Sequence, residues 1–173
     1  MQTNTVEAIM DAAERRIREF GYNGFSFREL AVDVGIKSAS VHHHFPTKPA
    51  LAAAVARRYC DRFDAAVARE RNSGATTVAA WRNAFRRSLR EDGRMCLCGV
   101  LGAEAGGLPP EVLSEARRFF ERGVTDLATA SALGGAQARQ AGLQVLATLE
   151  GAMLLARALG DDAAFDQAAA HLA

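Results

Sequence analysis

Apolar residues recur every three or four positions along most of the chain, which is the spacing that predicts amphipathic α-helices. The first such helix ends at a glycine, Gly21, and its apolar positions are Val6, Ile9, Ala13, Ile17 and Phe20. Alanine is abundant and runs of β-branched residues are absent. The pattern therefore predicts an all-α protein.

Two short helices follow, each with recognisable start and stop signals. Ser26 can cap the second helix, and Glu29 three residues later completes a capping box. Gly35 can end that helix in a left-handed conformation. The third helix is predicted to begin near Ser38 and to stop before Pro46, because proline cannot continue a helix.

The rest of the chain is also predicted to be helical. A long fourth helix is expected to start after a cap at Thr47 and to reach about Glu70. Short clusters rich in Gly, Pro or Asp separate the later helices. These are predicted near residues 77–91, 95–105, 110–132, 136–159 and 162–172.

Charge and cysteine content narrow the possible compartments and partners. The 173-residue chain has a formal net charge of +1, and its first 48 residues carry six basic and six acidic side chains. Any contact with nucleic acid must therefore depend on where a few side chains are placed. The odd number of cysteines, three, and an N-terminus without a signal-peptide pattern predict a reduced cytoplasm. No apolar run approaches the ~18 residues of a membrane span, so no membrane partner is expected.

Three consecutive histidines, His42 to His44, raise the question of a metal or catalytic site. Successive residues on a helix point about 100° apart, so these imidazoles cannot converge on one ion. No pair of histidines has the i, i+4 spacing of helical metal ligands. The sequence also has no nucleophile elbow, catalytic triad motif or phosphate-binding loop. We therefore expect no metal, no cofactor and no enzymatic activity.

The histidines lie in a segment with the spacing of a helix-turn-helix. Ala31, Gly35 and Val41 stand where that motif needs a small residue, a turn glycine and a buried aliphatic residue. The opposite side of the third helix carries short polar groups and imidazoles, which suit a DNA major groove. The alternative, a solvent-exposed face with a chance cluster of histidines, fits these residues equally well.

The segment "FSFRELAVDVGIKSASVHHHFPTKPAL" closely resembles the DNA-binding domain of TetR-family (tetracycline-repressor-like) transcriptional regulators. The shared features are a capped second helix, a G-I-x-x-x-S-V turn, an F-P-x-K motif and a long fourth helix. The resemblance implies an N-terminal helix-turn-helix DNA-binding domain of three helices at residues 1–48. Residues 49–173 would then form a C-terminal helical domain for effector binding and dimerisation.

The resemblance also implies which residues contact DNA. His42 stands where the family usually has a tyrosine that touches the DNA backbone, and Lys48 stands at the position of a phosphate clamp. Pro49 replaces a residue that is commonly charged. The full set of implied DNA-binding residues is Ser26, Arg28, Lys37, Ser38, Ala39, Ser40, His42, His43 and Lys48.

The function implied by the resemblance is that of a ligand-responsive regulator. It would be a homodimeric repressor that leaves a palindromic, double-stranded DNA operator when a small, mostly apolar effector binds. Bulky residues of the later helices are expected to line the effector pocket, although most of them also fit a packed core. The expected pocket residues are Trp81, Phe85, Cys96, Phe119, Phe120, Val124, Leu149 and Met153.

The dimer is expected to form through the predicted helix 136–159, which is apolar almost all round and must be buried on two sides. Its expected interface residues are Leu146, Glu150, Met153 and Arg157, with Glu150 and Arg157 approaching each other's copies across a two-fold axis. The final helix, residues 162–172, would complete a four-helix bundle with its symmetry mate.

Two alternatives concern the segment "RMCLCGVLGAEAGGLPPEV" and the fold as a whole. The segment resembles that of family members in which the leading cysteine, here Cys96, senses electrophiles or oxidants. A thiol near a helix N-terminus beside Arg94 would have thiolate character, whereas most free cysteines are small buried hydrophobic residues.

Glu104 is either a polar group that binds the effector or a surface glutamate. A more remote alternative is a helical metal-binding or enzymatic protein with an accidental helix-turn-helix.

Overall fold

The computed structural model describes residues 2–172, and within that range every regular element is helical. Met1 and Ala173, the outer ends of the predicted domains, lie outside the described residues. The α-helices are α1 (Gln2–Phe20), α2 (Phe27–Val34), α3 (Ser38–His44), α4 (Lys48–Asn72), α5 (Thr77–Asp92), α6 (Leu97–Ala103), α7 (Pro110–Ala128), α8 (Gly135–Leu159) and α9 (Ala163–Ala168). Single 3-10 turns occur at Tyr22–Gly24 and Ala105–Gly107.

The predicted all-α fold is confirmed, and the differences lie at helix ends. The helix expected at 95–105 is the shorter α6, which is followed by a 3-10 turn at Ala105–Gly107. The helix α7 ends at Ala128, where Thr129 turns its hydroxyl back onto the carbonyl oxygen of Asp126 (2.6 Å). Side-chain hydroxyls that bond the backbone in this way compete with helix continuation.

The helices form two compact units. One contains the residues up to 59 together with 97–117, and the other contains 60–96 together with the residues from 118 onward. These units cut across the predicted boundary between residues 48 and 49, because the first half of α4 packs with the N-terminal helices. The functional division at that boundary stays a prediction.

The first unit is built on α1, α2 and α3, with α6 packed against α1. Ser26 caps α2 by accepting a hydrogen bond from the Glu29 N–H (3.3 Å), and hydrogen bonds from Ser26 lower the pKa of the Glu29 carboxyl. Gly35 ends α2 in the left-handed region (φ 73°), and Val41 of α3 is fully buried. The predicted capping box, turn glycine and buried valine are therefore confirmed.

The second unit has an aromatic core and a close helix crossing. Its aromatic rings come from α4, α5 and α7, and α8 packs against α5 and α9. At the crossing of α7 and α8, a Cβ atom at Gly142 would lie 2.5 Å from the carbonyl oxygen of Val124. Glycine is needed here because the backbone of α7 occupies the space of a side chain.

Candidate DNA-binding surface and regulatory core

The residues expected to contact DNA all lie in the first unit. Burial of Val41 turns the opposite side of α3 outward, so that Lys37, Ala39, His42 and His43 are exposed. Ser26 and Arg28, at the start of α2, are exposed as well, whereas Ser38, Ser40 and Lys48 are half-buried. Short side chains along this face leave room for close approach to a groove, with imidazole and basic groups beside them.

His42 is held in place by the core rather than lying loose on the surface. Its ring packs edge-on against Phe27 of α2, with 4.7 Å between the ring centroids. His43 and His44 also contact each other edge-on at 5.2 Å. His42 is thus packed on α2 while His43 and His44 contact each other. No group of three or more His, Cys, Asp or Glu side chains in the described part of the chain is placed to hold a metal ion.

Acidic side chains near α2 are paired with an arginine of α1. Arg16 donates two hydrogen bonds to Asp33, the longer at 3.0 Å, and lies 3.5 Å from Glu29. The hydrogen bond from Arg16 is the main cause that lowers the pKa of the Asp33 carboxyl. This pairing ties α1 to α2 and offsets the negative charge beside the predicted DNA-binding face.

The side chain of Lys48 packs against two aromatic rings, which differs from the extended position of a side chain that contacts a DNA phosphate. Its ammonium lies over the ring of Tyr22 (4.7 Å) and over the ring of Phe25 (4.6 Å), which is the geometry of a cation–π contact. Burial lowers the pKa of Lys48, while the charges of Glu29 and Glu104 act in the opposite direction. The role of Lys48 in DNA binding stays a prediction.

Glu104 belongs to the first unit, whereas the residues expected to form the effector pocket belong to the second. Its Oε2 accepts a hydrogen bond from the backbone N–H of Tyr22 (2.8 Å). The contact joins residues 82 positions apart in the chain, and sequence reasoning missed it. The signal that could have suggested it is Gly21, whose φ of 79° and lack of a side chain let the carboxylate approach the backbone.

The residues expected to line the effector pocket all belong to the second unit, and nearly all are buried in it. Phe120 is half-buried and the other seven are buried. Trp81, Phe85 and Phe119 surround Phe63 of α4, with centroid distances of 5.1–5.3 Å to it. Sequence reasoning missed Phe63, although it stands at the centre of this cluster.

A groove of about 550 Å³ with several charged residues in its lining lies beside this core, between α4, α5 and α7. That volume falls in the range of small-molecule sites. Trp81 belongs to both the core and the groove, and its indole N–H donates to Asp126 Oδ2 (2.7 Å). Arg71 also donates to Asp126 (3.0 Å), so the groove is lined by charged pairs and is more polar than the sequence predicts.

Cys96 lies in an enclosed, acidic environment just before α6. It is fully buried, and its backbone N–H donates to Met153 Sδ (3.0 Å). The Glu150 carboxyl lies beside it; both carboxyl oxygens are shielded from solvent, and burial raises the pKa of Glu150 to about 7. A hydrogen bond with the Cys96 side chain acts in the opposite direction on that pKa, so the thiol is engaged with this carboxyl inside the unit. This arrangement supports a packing role for Cys96 rather than the thiol-sensor alternative.

The residues expected at the dimer interface lie mostly on the inner face of α8. Leu146 and Met153 are buried in their own unit, and the carboxyl of Glu150 is enclosed there too. Arg157 is exposed, so the structure does not bring it to the same face as the Glu150 carboxyl. The large apolar side chains that α8 leaves exposed are Leu143, Leu154, Leu155 and Leu159. The interface expected from the sequence stays a prediction.

Comparison with known proteins agrees with the geometry of the first unit. Residues 9–55 match the family described as bacterial regulatory proteins, tetR family. A 62-residue segment is 37% identical to the HTH-type transcriptional repressor Rv1474c of Mycobacterium tuberculosis (strain ATCC 25618 / H37Rv), and covers 36% of this chain. The match spans about a third (33%) of that repressor's own length.

Solved structures extend the similarity to nearly the whole chain. A TetR-family transcriptional regulator from Agrobacterium tumefaciens is 30% identical, with a TM-score of 0.88, and the match covers 96% of this chain and 94% of that one. A TetR transcriptional regulator from Legionella pneumophila is 28% identical with a TM-score of 0.87, at the same coverage of 96% and 94%. With this helix-turn-helix and these relatives, the chain belongs to the TetR family of bacterial regulatory proteins.

Proposed function

We propose that this protein is a transcriptional repressor that binds a palindromic DNA operator as a homodimer and leaves it when a small-molecule effector binds. The observation that carries the proposal is the outward face of α3, which Val41 anchors to α2 and which carries exposed Lys37, His42 and His43. Family membership and the repressor relative support it. Such a repressor acts in the cytoplasm, where it reaches bacterial DNA, and it needs no enzymatic activity.

The proposed DNA contacts divide into two kinds. Ser40 and His43, on the outward face of α3, are proposed to reach base edges, whereas His42, held against Phe27, is proposed to contact the phosphate backbone. Contacts to phosphates position a protein on the duplex without reading its sequence, and contacts to base edges discriminate between sequences. The two kinds of contact therefore predict different effects of mutation.

His42→Ala should weaken binding to all duplexes by a similar factor, at a cost of roughly 1 kcal/mol. Ser40→Ala and His43→Ala should instead change the preferred sequence. The measurement is selection of bound duplexes from random DNA, followed by fluorescence anisotropy titration of each variant on the selected and scrambled sites. His171→Ala, an exposed histidine of the second unit, is the matched control. Unchanged affinity and preference in all three variants would contradict this assignment.

We propose that the effector binds in the second unit, at the groove beside Trp81. The supporting features are the volume of about 550 Å³ and a lining that combines the indole of Trp81 with paired charges such as Arg71 and Asp126. Apolar sites with a few placed polar groups are typical of small-molecule recognition. An effector for this groove would need polar groups of its own, in addition to the apolar surface that the sequence predicts.

The exposed leucines of α8 are proposed to bind the same face of a second copy of the chain. α8 is also long and apolar enough to cross a membrane by length and composition, with a mean hydropathy of 1.3 and 33% of its most apolar stretch buried. Charged groups at Arg139, Glu150 and Arg157 would be costly inside a bilayer, however. A partner helix is the better cover for a helix that is apolar on two faces.

The wild-type protein should be a dimer at micromolar concentration in light scattering, and the double variant Leu154→Glu/Leu155→Glu should be a monomer. Both leucines are more than half exposed in the single chain, at 57% and 51%, so the glutamates can be solvated in the monomer. Burying their charges in an apolar interface would oppose association. Leu133→Glu, at an equally exposed leucine outside α8 (55%), is the matched control. A monomeric wild type would refute the proposed interface.

A further inference from the structure

Four residues meet at the turn between α1 and α2, just before the helix-turn-helix. They are Gly21, Tyr22, Lys48 at the start of α4, and Glu104 directly after α6. The sequence places Glu104 more than 50 residues beyond the other three. Glu104 is not among the residues predicted to bind DNA, so the role of its carboxylate at this turn is open.

The carboxylate of Glu104 is fitted closely to the turn. Oε2 accepts the Tyr22 N–H at 2.8 Å, and a Cβ added to Gly21 would lie only 1.8 Å from Oε1. Gly21 also has a φ of 79°, in the region that favours glycine. The lack of a side chain at Gly21 leaves room for the carboxylate, and its positive φ lets the backbone adopt this turn.

The ammonium of Lys48 packs on two aromatic rings at the same turn. Its ammonium is 4.7 Å from the ring centroid of Tyr22, the residue whose N–H Glu104 holds, and 4.6 Å from that of Phe25. Burial lowers the pKa of Lys48, and the negative charges of Glu29 and, to a smaller extent, Glu104 favour its charged form. The Lys48 ammonium is therefore placed against the turn, where two aromatic faces and nearby carboxylates attract it.

We propose that Glu104 is a positioning residue for DNA binding, which holds Lys48 against the Tyr22 and Phe25 rings and so withholds its ammonium from DNA phosphates. This inference rests on the proposed DNA-binding function. Loss of the Glu104 charge removes part of the electrostatic attraction on Lys48, leaving that of Glu29, and it removes a negative charge that would repel a DNA phosphate. Lys48 can then extend and contact a phosphate.

The test compares Glu104→Gln, Lys48→Ala and the double variant with the wild type. The glutamine retains a carbonyl oxygen that can accept the Tyr22 N–H, so the turn is kept while the charge is lost. Binding is measured by fluorescence anisotropy on a selected duplex, between about 50 and about 200 mM salt. One added phosphate contact should steepen the slope of log affinity against log salt by about 0.9 and raise affinity several-fold at the low-salt end.

The double variant decides whether Lys48 carries the effect. Lys48→Ala should abolish the gain of Glu104→Gln. In the wild-type background it should change the slope little, because the proposal replaces the phosphate contact that the family resemblance implies for Lys48; a clearly shallower slope there would overturn the proposal. Equal slopes in the wild type and in Glu104→Gln would overturn the proposal, and so would a gain that survives without Lys48. Should no variant bind any duplex, it is the proposed function that fails.

A second measurement tests the arrangement without DNA. The chain contains two lysines, Lys37 and Lys48, so brief acetylation followed by mass spectrometry compares them directly. Lys48 should be modified more slowly than exposed Lys37 in the wild type, and the two rates should converge in Glu104→Gln. Equal rates in the wild type would overturn the proposed withholding of Lys48.

Discussion

Replacing Phe63 with alanine should lower the free energy of unfolding by about 3–5 kcal/mol. Phe63 is 5% exposed, and its ring touches those of Trp81, Phe85 and Phe119 at centroid distances of 5.1–5.3 Å. Truncation removes these contacts and leaves a cavity that the surrounding helices fill only in part. Urea unfolding followed by far-ultraviolet circular dichroism measures the change, at a fixed protomer concentration because the proposed dimerisation would add to stability.

Phe20→Ala is the matched control for this variant. Phe20 is 66% exposed at the end of α1, so its truncation should change stability by less than about 0.5 kcal/mol. Similar losses for the two phenylalanines would mean that the ring cluster around Phe63 is not the core of its unit.

The second large effect concerns Glu150, whose replacement by glutamine should stabilise the protein increasingly as the pH rises. Burial raises the pKa of its carboxyl to about 7 in the folded chain, from an ordinary value of 4.5. Because the folded state disfavours the charged form, ionisation opposes folding. The penalty is absent below about pH 4.5, grows through the interval up to about pH 7, and is then constant.

Glu150→Gln should therefore differ little from the wild type at acidic pH and be more stable by about 3 kcal/mol above neutrality. Urea unfolding at a series of pH values between about 4.5 and 8 measures the difference. Glu121→Gln, at an exposed glutamate of α7, is the control and should show no such trend. A constant difference between Glu150→Gln and the wild type across this range would contradict the buried, shifted carboxyl.

The helix-turn-helix could be predicted from the sequence because its determinants are local. The cap at Ser26, the left-handed Gly35 and the buried Val41 lie within 16 residues, and the structure confirms all three. Capping, turn geometry and helical spacing each depend on neighbours in the chain. Their agreement over one short segment made the fold of that segment predictable.

The contacts that sequence reasoning missed depend on distant partners. Glu104 meets a backbone N–H 82 positions earlier, and nothing in its own neighbourhood indicates that contact. The inner face of α8 could not be chosen by periodicity, because the helix is apolar almost all round. The sequence predicts an interface that includes Leu146 and Met153, which are buried in their own unit, and the interface proposed above uses the exposed leucines instead.

The crossing of α7 and α8 limits how this chain can diverge. A Cβ at Gly142 would lie 2.5 Å from the Val124 carbonyl oxygen, so even alanine would force the two helices apart. A displaced α8 would also carry Leu154 and Leu155 away from any partner that fits them. We expect descendants of this protein to vary freely along the outer polar surface of α7 while position 142 stays glycine. A larger residue could become fixed there only together with a compensating change in the path of α7.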